Sequence, residues 1–593
     1  MRRLPALDAP IAAAAGAVAA FFLGQGAVSG AGAPVLGTAQ ADKFGAIYLH
    51  DALHRALAAG RFPLIDAEQL WPVGAPLAAM NGDNVLEMLV SGLLRLGAPW
   101  PLWFNLAHLV WVPLLAVAFL PLGRRLWPGD DVAAAALRVA AGLTWALSPV
   151  FLGEIVAGRL TQVVLLGLPL ALAQLHAATE ADLDRRGRVL GAVGVALVGL
   201  GYWFYAVFLG LLAPVFLVAG AWAGRGRATL RELLWIGGGA AVLVSPALLG
   251  IAYSSVSLGV SPQVPAPPGG LSPVFDNALQ LARAQPAQLQ GWFPWALAPG
   301  LVLGLGLAVR GLRRRGGAGA PAGSAGGGPA QGAAVPALRW FVLAALALLF
   351  ALGPGQVLGG RVWLLPYWPV WKLVPSLGRL THPSRWADFG MIFLVVGSFG
   401  GLAWTRSGRW LAPLVPAALF AQLFLQGTAP LPTYSPPAAP LYEAAAATPG
   451  ALIVLPVMHA PDTIRFTPIH RRPVIGGMAE GLPWAWPPAF RTWFEGNPLL
   501  LQLLALGDGK LAALDVRQGD VDDLRSAGFT QVLYDAGAWQ QWRHRADPGA
   551  LTALTAALGA PRFQNADGAL WDLPNSAPSG HAAPPAGVRL PAP

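Results

Sequence analysis

Residues 41–105, ADKFGAIYLHDALHRALAAGRFPLIDAEQLWPVGAPLAAMNGDNVLEMLVSGLLRLGAPWPLWFN, decide how the rest of the chain is read. Acids, histidines and aromatic residues gather here, while the sequence on either side is almost bare of charge. Asp42 opens a segment with apolar residues at Ala46, Leu49, Leu53 and Leu57 and with His50, Asp51, His54 and Arg55 opposite them. That is the spacing of an amphipathic helix lying on a membrane surface. At its head Asp42 is either an N-cap, accepting hydrogen bonds from first-turn amides, or a catalytic carboxylate, and the two roles are compatible. His50 and His54 stand four apart on one face, a spacing that holds a metal when a third ligand joins them. Beyond them Pro63, Pro72 and Pro76 exclude long regular structure, leaving Asp66 and Glu68 in an irregular stretch as the loop's other candidate acids. Asn81-Gly82 marks a turn, after which Asp83 caps a second amphipathic helix.

Outward from this stretch, composition sets the class of protein. Of 593 residues 55% are hydrophobic and 11% charged, with a mean hydropathy of +0.54, where soluble domains carry roughly 25% charged residues. This is the make-up of a polytopic membrane protein. The formal charge of +10 does not indicate nucleic acid, because the Lys and Arg residues sit in short clusters between apolar runs, where they orient helices. The absence of cysteine excludes disulfides, thiolate metal sites and a cysteine nucleophile. No GxxxxGK[ST], HExxH or GxSxG motif is present, so nucleotide hydrolysis, zincin and serine-hydrolase chemistry find no support. The 73 glycines and 55 prolines predict broken or kinked spans.

A bilayer crossing needs about 20 apolar residues, and about eleven runs approach that length. They cover 10–31, 100–122, 139–152, 161–178, two helices within 189–223 parted by the aromatic turn Gly201–Tyr205, 233–252, 295–309, 337–352, 389–404 and 411–426. Basic flanks at Arg124-Arg125, Arg185–Arg188, Arg225–Arg231 and Arg313–Arg315 mark cytoplasmic ends. They put the N-terminus inside and leave outside the loops 31–99, 253–294 and 355–388. Met1-Arg2-Arg3 before the first run also fits a secretory signal, and either reading leaves the first loop outside. The division expected is a transmembrane domain, 1–426, with a Gly/Ala/Pro-rich cytoplasmic linker at 313–336; a Pro-rich connector, 427–448; an extracytoplasmic α/β domain, 449–574; and a disordered tail, 575–593. Within the α/β domain ALIVLPV reads as a buried strand and DDLRSAGFTQVLYD as helix, Gly stop and strand.

Two constellations near span ends carry potential chemistry. Glu154 is a lone carboxylate in VFLGEIVAG, where an ionisable group near the bilayer calls for a function or a partner, and Arg159 is the candidate partner. Arg379, His382 and Arg385 in GRLTHPSRWADF gather basic groups at the outer entry of a span, against the positive-inside preference. They suit an anionic partner such as a lipid phosphate, or pairing with Asp388.

These pieces resemble a known class. One span, a large outer loop beginning with Asp and containing Gly60-Arg61-Phe62-Pro63 then Pro72-Val73-Gly74-Ala75-Pro76, many further spans and an outer C-terminal domain look like the GT-C class of membrane glycosyltransferases. The likeness is closest to bacterial YfhO-like membrane proteins. GRLTQVVLLGLPLALAQL is similar to that family's segment leading into a Pro-containing helix, with Arg159 where a His is common. RLTHPSRW is similar to its R-x-P-x-R, with Thr381-His382 inserted before Pro383.

The resemblance implies sugar transfer outside the membrane from a polyprenyl-phosphate donor to a hydroxyl of an envelope glycan, lipid or protein, with inversion. It implies Asp42 as general base, Glu154 as the second acid positioning acceptor or metal, and Arg159, Arg379, His382 and Arg385 as phosphate binders. A divalent cation, Mg or Mn, serves some members, and Asp42 and Glu154 are the oxygen ligands available for one. The location implied is a bacterial inner membrane. The competing readings are a transporter or flippase of a lipid-linked saccharide and a non-enzymatic envelope assembly protein. A transporter would favour ionisable groups at mid-span and inverted repeats, whereas the charges here cluster at span ends.

Overall fold

The computed structural model describes residues 7–28, 34–39, 41–61, 64–81, 102–260, 295–306, 329–358, 361–373, 385–404, 406–434, 440–481, 485–543 and 547–574. The chain divides into two compact units. One comprises Met1–Thr38, Asp83–Ser245 and Ala266–Tyr434, the other Ala39–Gly82, Pro246–Pro265 and Ser435–Pro593.

The first unit is a bundle of apolar helices. Among the described residues seven helices are long and apolar enough to cross a bilayer, and a pair bent by 40°, Val132–Ala146 with Pro149–Ala157, makes an eighth. About eleven crossings were expected from the number of runs near 20 residues. The other three runs are helical as well: Arg185–Gly201, 17 residues opened by arginines, the described stretch Trp295–Gly306, and Pro329–Ala351. Ser148-Pro149 divides the expected third span, because Pro149 suits a first helical position and not a helix interior. The expected aromatic break is at Tyr202, whose extended φ of −162° separates Arg185–Gly201 from Trp203–Trp222. Glycine lets neighbouring helices touch: a Cβ on Gly194 would lie 2.6 Å from the Ala171 amide nitrogen. The Arg385–Ala403 helix is central, with 94% of its apolar window buried, whereas Gly226–Ser257 has 11% buried and turns its side chains outward.

Two buried polar side chains of this unit, Asp8 and Asn105, have all their partners within it. Asp8 is buried and accepts from Arg124 Nε at 3.0 Å, Arg124 Nη2 at 2.5 Å and Arg138 Nε at 3.1 Å. Asn105, also buried, accepts from the Leu36 amide at 2.8 Å and donates to the carbonyls of Ala27 at 2.7 Å and Pro34 at 2.9 Å. It thereby fixes the strand Val35–Leu36, which pairs antiparallel with Thr433–Tyr434. Of the three segments that leave this unit, after Thr38, Ser245 and Tyr434, the first and last therefore leave it from adjoining strands.

The second unit is built on a four-stranded sheet in the order Ala451–Leu455, Phe529–Asp535, Gly568–Asp572, Phe563–Asn565, the first pair parallel and the others antiparallel. The expected strand is Ala451–Leu455, buried at all five positions. The expected helix, stop and strand are Gln518–Ser526, Gly528 at φ +92° and Phe529–Asp535. Leu70 and Ala75 from the first loop enter the same core as Phe490 and Trp539. Trp71 Nε1 donates to the Ala527 carbonyl at 2.6 Å. Residues 39–82 thus fold with the C-terminal α/β layer, although they were read as an outer loop of the transmembrane domain.

The helix Ala41–Ala58 forms as expected, but its surroundings correct the sequence reading. Ala46, Leu49 and Leu53 are buried, and so are Phe44, Ile47, Tyr48 and the polar His50 and Asp51. A solvated polar face was expected there. Arg55 explains the difference, for it pairs with Asp51 one turn back at 2.8 Å and with both oxygens of Glu68, so the acidic residues are neutralised before they are covered.

Two measurements follow from these packings. Asn105→Leu leaves an amide and two carbonyls without their partner and should lower unfolding stability by about 3 kcal/mol, at 1–3 kcal/mol per orphaned group; an unchanged midpoint in detergent would remove Asn105 as the tie. Glu480 is buried in the second unit, where its Oε1 accepts from the Gly477 amide and its Oε2 from the Ala460 amide, and burial pushes it up from 4.5 to about 8. The folded state therefore holds a proton that the unfolded state releases between pH 4.5 and 8. Stability falls as pH rises through that window, and Glu480→Gln should flatten the slope.

Candidate active site at the head of the membrane spans

The helix Pro149–Ala157 ends at Gly158, whose φ of +77° turns the chain so that Arg159 folds back on Glu154. Arg159 donates from Nε to Glu154 Oε2 at 2.5 Å and from Nη2 to Oε1 at 3.1 Å, a two-pronged guanidinium–carboxylate contact. Gln162, in the turn Leu160–Gln162, is buried beside them. With its amide oriented to suit its neighbours, Nε2 donates to Glu154 Oε2 at 3.0 Å and Oε1 accepts from Arg385 Nη2 at 3.1 Å.

Arg385 is the first residue of the Arg385–Ala403 helix, and its guanidinium lies 5.0 Å from the Tyr202 ring centroid. Tyr205 donates its hydroxyl to the Gln162 carbonyl at 3.3 Å. Asp388, buried one turn into the Arg385 helix, lies in the field of Glu154, Arg385 and Arg159. Under this polar layer Trp386 stacks on Phe208 at 3.7 Å and 13°. The cluster joins the Pro149–Ala157 turn to the N-termini of two spans, Trp203–Trp222 and Arg385–Ala403.

Chemically it offers two guanidiniums shaped for a phosphate and two carboxylates that offset them in charge. Both Glu154 oxygens are engaged by Arg159, so Glu154 becomes an available acid only when another anion takes Arg159. Sequence reasoning found Glu154, Arg159 and Arg385 but missed their bridge, Gln162. A glutamine in an apolar run carries no signal of what it will face. Tyr202 and Tyr205 were read as interfacial aromatics, and Asp388 only as a partner for the arginines.

The remaining candidates lie elsewhere or outside the described residues. Arg379 and His382 fall in the latter, as does the side chain of Asp42, whose backbone is in the first turn of Ala41–Ala58. His50, His54, Asp66 and Glu68 belong to the second unit. There Asp66 accepts from the Tyr48 hydroxyl at 2.5 Å, Gln69 Nε2 at 2.7 Å and the Glu68 amide at 2.9 Å. Burial pushes the Asp66 carboxyl up and the Tyr48 hydroxyl well above its ordinary value. Gly74, at φ +95°, lets the Pro72–Pro76 stretch fold back so that Asp66 bridges to Ala75. Asp66 and Glu68 thus shape the loop. Among the described residues no three His, Cys, Asp or Glu side chains group as a metal ion would require. Asp51, between the two histidines, is taken by Arg55. The described donor set does not fit a cation.

No family model and no curated protein sequence matches the chain. Solved structures do. The cryo-EM structure of arabinofuranosyltransferase AftD from Mycobacteria superposes with a TM-score of 0.55 at 16% identity, covering 97% of this chain and 40% of that one. This chain thus spans well under half the length of AftD. The archaeal oligosaccharyltransferase AglB from Archaeoglobus fulgidus, in complex with an inhibitory peptide and a dolichol-phosphate, gives a TM-score of 0.46 at 11% identity over 90% of this chain and 71% of that one. A second structure of the same enzyme, in complex with Zn and sulfate, gives 0.46 at 12% over 92% and 70%. The fold is that of a polytopic membrane protein of the GT-C type with an added α/β domain.

The Glu154–Arg159 contact is part-buried, so each partner should depend on the other. Arg159→Leu alone is expected to destabilise by roughly 1–3 kcal/mol, and Arg159→Leu with Glu154→Gln by less, because the uncompensated carboxylate is then gone. Additive losses in the double variant would show that the pair is not coupled.

Proposed function

We propose that the protein is an integral-membrane glycosyltransferase that moves a sugar from a polyprenyl-phosphate donor to an acceptor hydroxyl on the extracytoplasmic face of a bacterial inner membrane. The observation that carries the reading is the Glu154–Arg159–Gln162–Arg385 cluster at span ends, on a framework shared with AftD. A donor whose phosphate ends in an apolar chain needs cations where spans meet the headgroup layer, with apolar helix surface beside them. Arg385 and Arg159 meet the first need. The resemblance adds Arg379 and His382 as further phosphate binders.

Donor binding then has a built-in consequence. The phosphate competes with Glu154 for Arg159, and Glu154, released while still held by Gln162, orients the acceptor. The resemblance assigns the general base to Asp42, which would take the proton of the acceptor hydroxyl as the hydroxyl oxygen bonds to the anomeric carbon. The carbon–oxygen bond to the phosphate breaks on the opposite face, its electron pair leaving with the polyprenyl phosphate, whose charge the arginines hold. Configuration at the anomeric carbon inverts. The acceptor is an envelope glycan, lipid or protein.

The test is transfer of labelled sugar from a panel of polyprenyl-phosphate sugars by the purified protein. Asp42→Asn should cost about 10²-fold or more in kcat, the usual worth of a general base. Arg385→Ala should raise donor KM and lower kcat, and Glu154→Gln should act mainly on acceptor KM. Wild-type rates from Asp42→Asn would remove it as the base. No transfer from any donor, together with movement of the labelled lipid across proteoliposomes, would replace the enzyme by a carrier.

A further inference from the structure

At the opposite, arginine-rich end of the bundle a second charged site stands apart from the proposed chemistry. Arg125 pairs with Glu180 at 2.8 Å, Arg231 with Asp182 at 3.0 Å and Arg188 with Glu232 at 2.6 Å, so the arginines there are met by carboxylates. Arg339 is not. It is 8% exposed, and its side chain donates to the Thr179 hydroxyl at 2.9 Å and to His176 Nδ1 at 2.7 Å, two neutral groups. Because Nδ1 accepts, His176 is the neutral imidazole, with its proton on Nε2 facing Glu180 at 3.5 Å. The guanidinium lies 5.8 Å from the ring centroids of Phe216 and Trp340, which soften the charge without cancelling it, and its Nε is buried with no acceptor.

Among the described residues the buried Arg339 guanidinium is hydrogen-bonded only to neutral groups, and burying a cation so weakly matched is costly enough to favour an anion that completes the site. Arg339 lines a cavity of about 400 Å³ together with Thr179 and Glu180 on one side and Val215, Val218 and Trp222 on the other. Val218 and Trp222 are 49% and 77% exposed on the outer surface of their span, where the bilayer's acyl chains run. Glu180, the one carboxylate lining the cavity, is already bonded to Arg125, so it is shared between two guanidiniums.

We propose that this cavity holds an anionic phospholipid, its phosphate at the Arg339 guanidinium and the adjoining acyl chain lying along Val215, Val218 and Trp222. An ion without a chain would leave the apolar wall uncovered, and an apolar ligand would leave the guanidinium unmatched. The site is at the other end of the spans from Glu154 and Arg385, so it stands or falls independently of the transfer reaction. By the positive-inside preference it faces the cytoplasmic leaflet.

The experiment is native mass spectrometry of the delipidated full chain with dioleoyl-phosphatidylglycerol, with dioleoyl-phosphatidylethanolamine as the zwitterionic arm and inorganic phosphate as competitor. Wild type should retain one phosphatidylglycerol at least ten-fold better than phosphatidylethanolamine, undisplaced by millimolar phosphate. Arg339→Gln and Val218→Trp should each lower retention ten-fold or more. Val218 is exposed, so its variant fills the groove without disturbing the core and keeps the test usable where Arg339→Gln does not fold. Val242→Trp, on an exposed face away from the cavity, should retain the lipid. Equal retention of both lipids, displacement by phosphate alone, or retention by Val218→Trp equal to wild type would each overturn the proposal.

Discussion

An ionisable side chain in an apolar bundle must be matched or it destabilises the fold, and that constraint arranges the ion groups around Asp8 and Glu154. Asp8 is taken up by Arg124 and Arg138. Glu154 is taken up by Arg159 and bridged through Gln162 to Arg385. The two arrangements differ in what they leave. Both groups keep an arginine partly exposed, Arg124 in one and Arg159 in the other, but the Asp8 side chain is 2% exposed and that of Glu154 14%, so the first carboxylate is closed off and the second is reachable. A closed group can only stabilise. An open one can exchange partners, which is what a site that binds a phosphate requires.

Arg385 belongs to the second kind of group. It is held by the Gln162 amide oxygen and the face of the Tyr202 ring, both uncharged, so its guanidinium is oriented by its neighbours without being neutralised by them.

How much of this was legible in the sequence depends on whether the signal was local. Apolar runs announce spans because the bilayer sets their length, and Tyr202 and Pro149 announced breaks because each has a local conformational cause. The strand Ala451–Leu455 and the Gly528 stop were equally local. Three other features were not. The polar face of Ala41–Ala58 reads as solvated because the partner that neutralises Asp51 on one side, Glu68 on the other, is joined through Arg55 across an irregular loop. Residues 39–82 read as a loop of the membrane domain because chain order suggests it, yet Leu70 and Ala75 complete the core beneath a sheet whose first strand begins at Ala451. Gln162 has no periodicity to betray it; its role exists only once Glu154 and Arg385 flank it.

The alternation of matched and unmatched cations also separates the two ends of the bundle. At one end Arg159 and Arg385 share carboxylate and amide partners that a ligand could displace, so occupancy there is reversible by construction. At the other, Arg339 has only neutral partners, and removing an anion from it would leave a buried charge with nothing to return to. Exchangeable partners suit a substrate that must leave as product, and their absence suits a ligand that stays. The same residue type, buried to different depths among different neighbours, thereby has exchangeable partners in one place and none with charge of their own in the other.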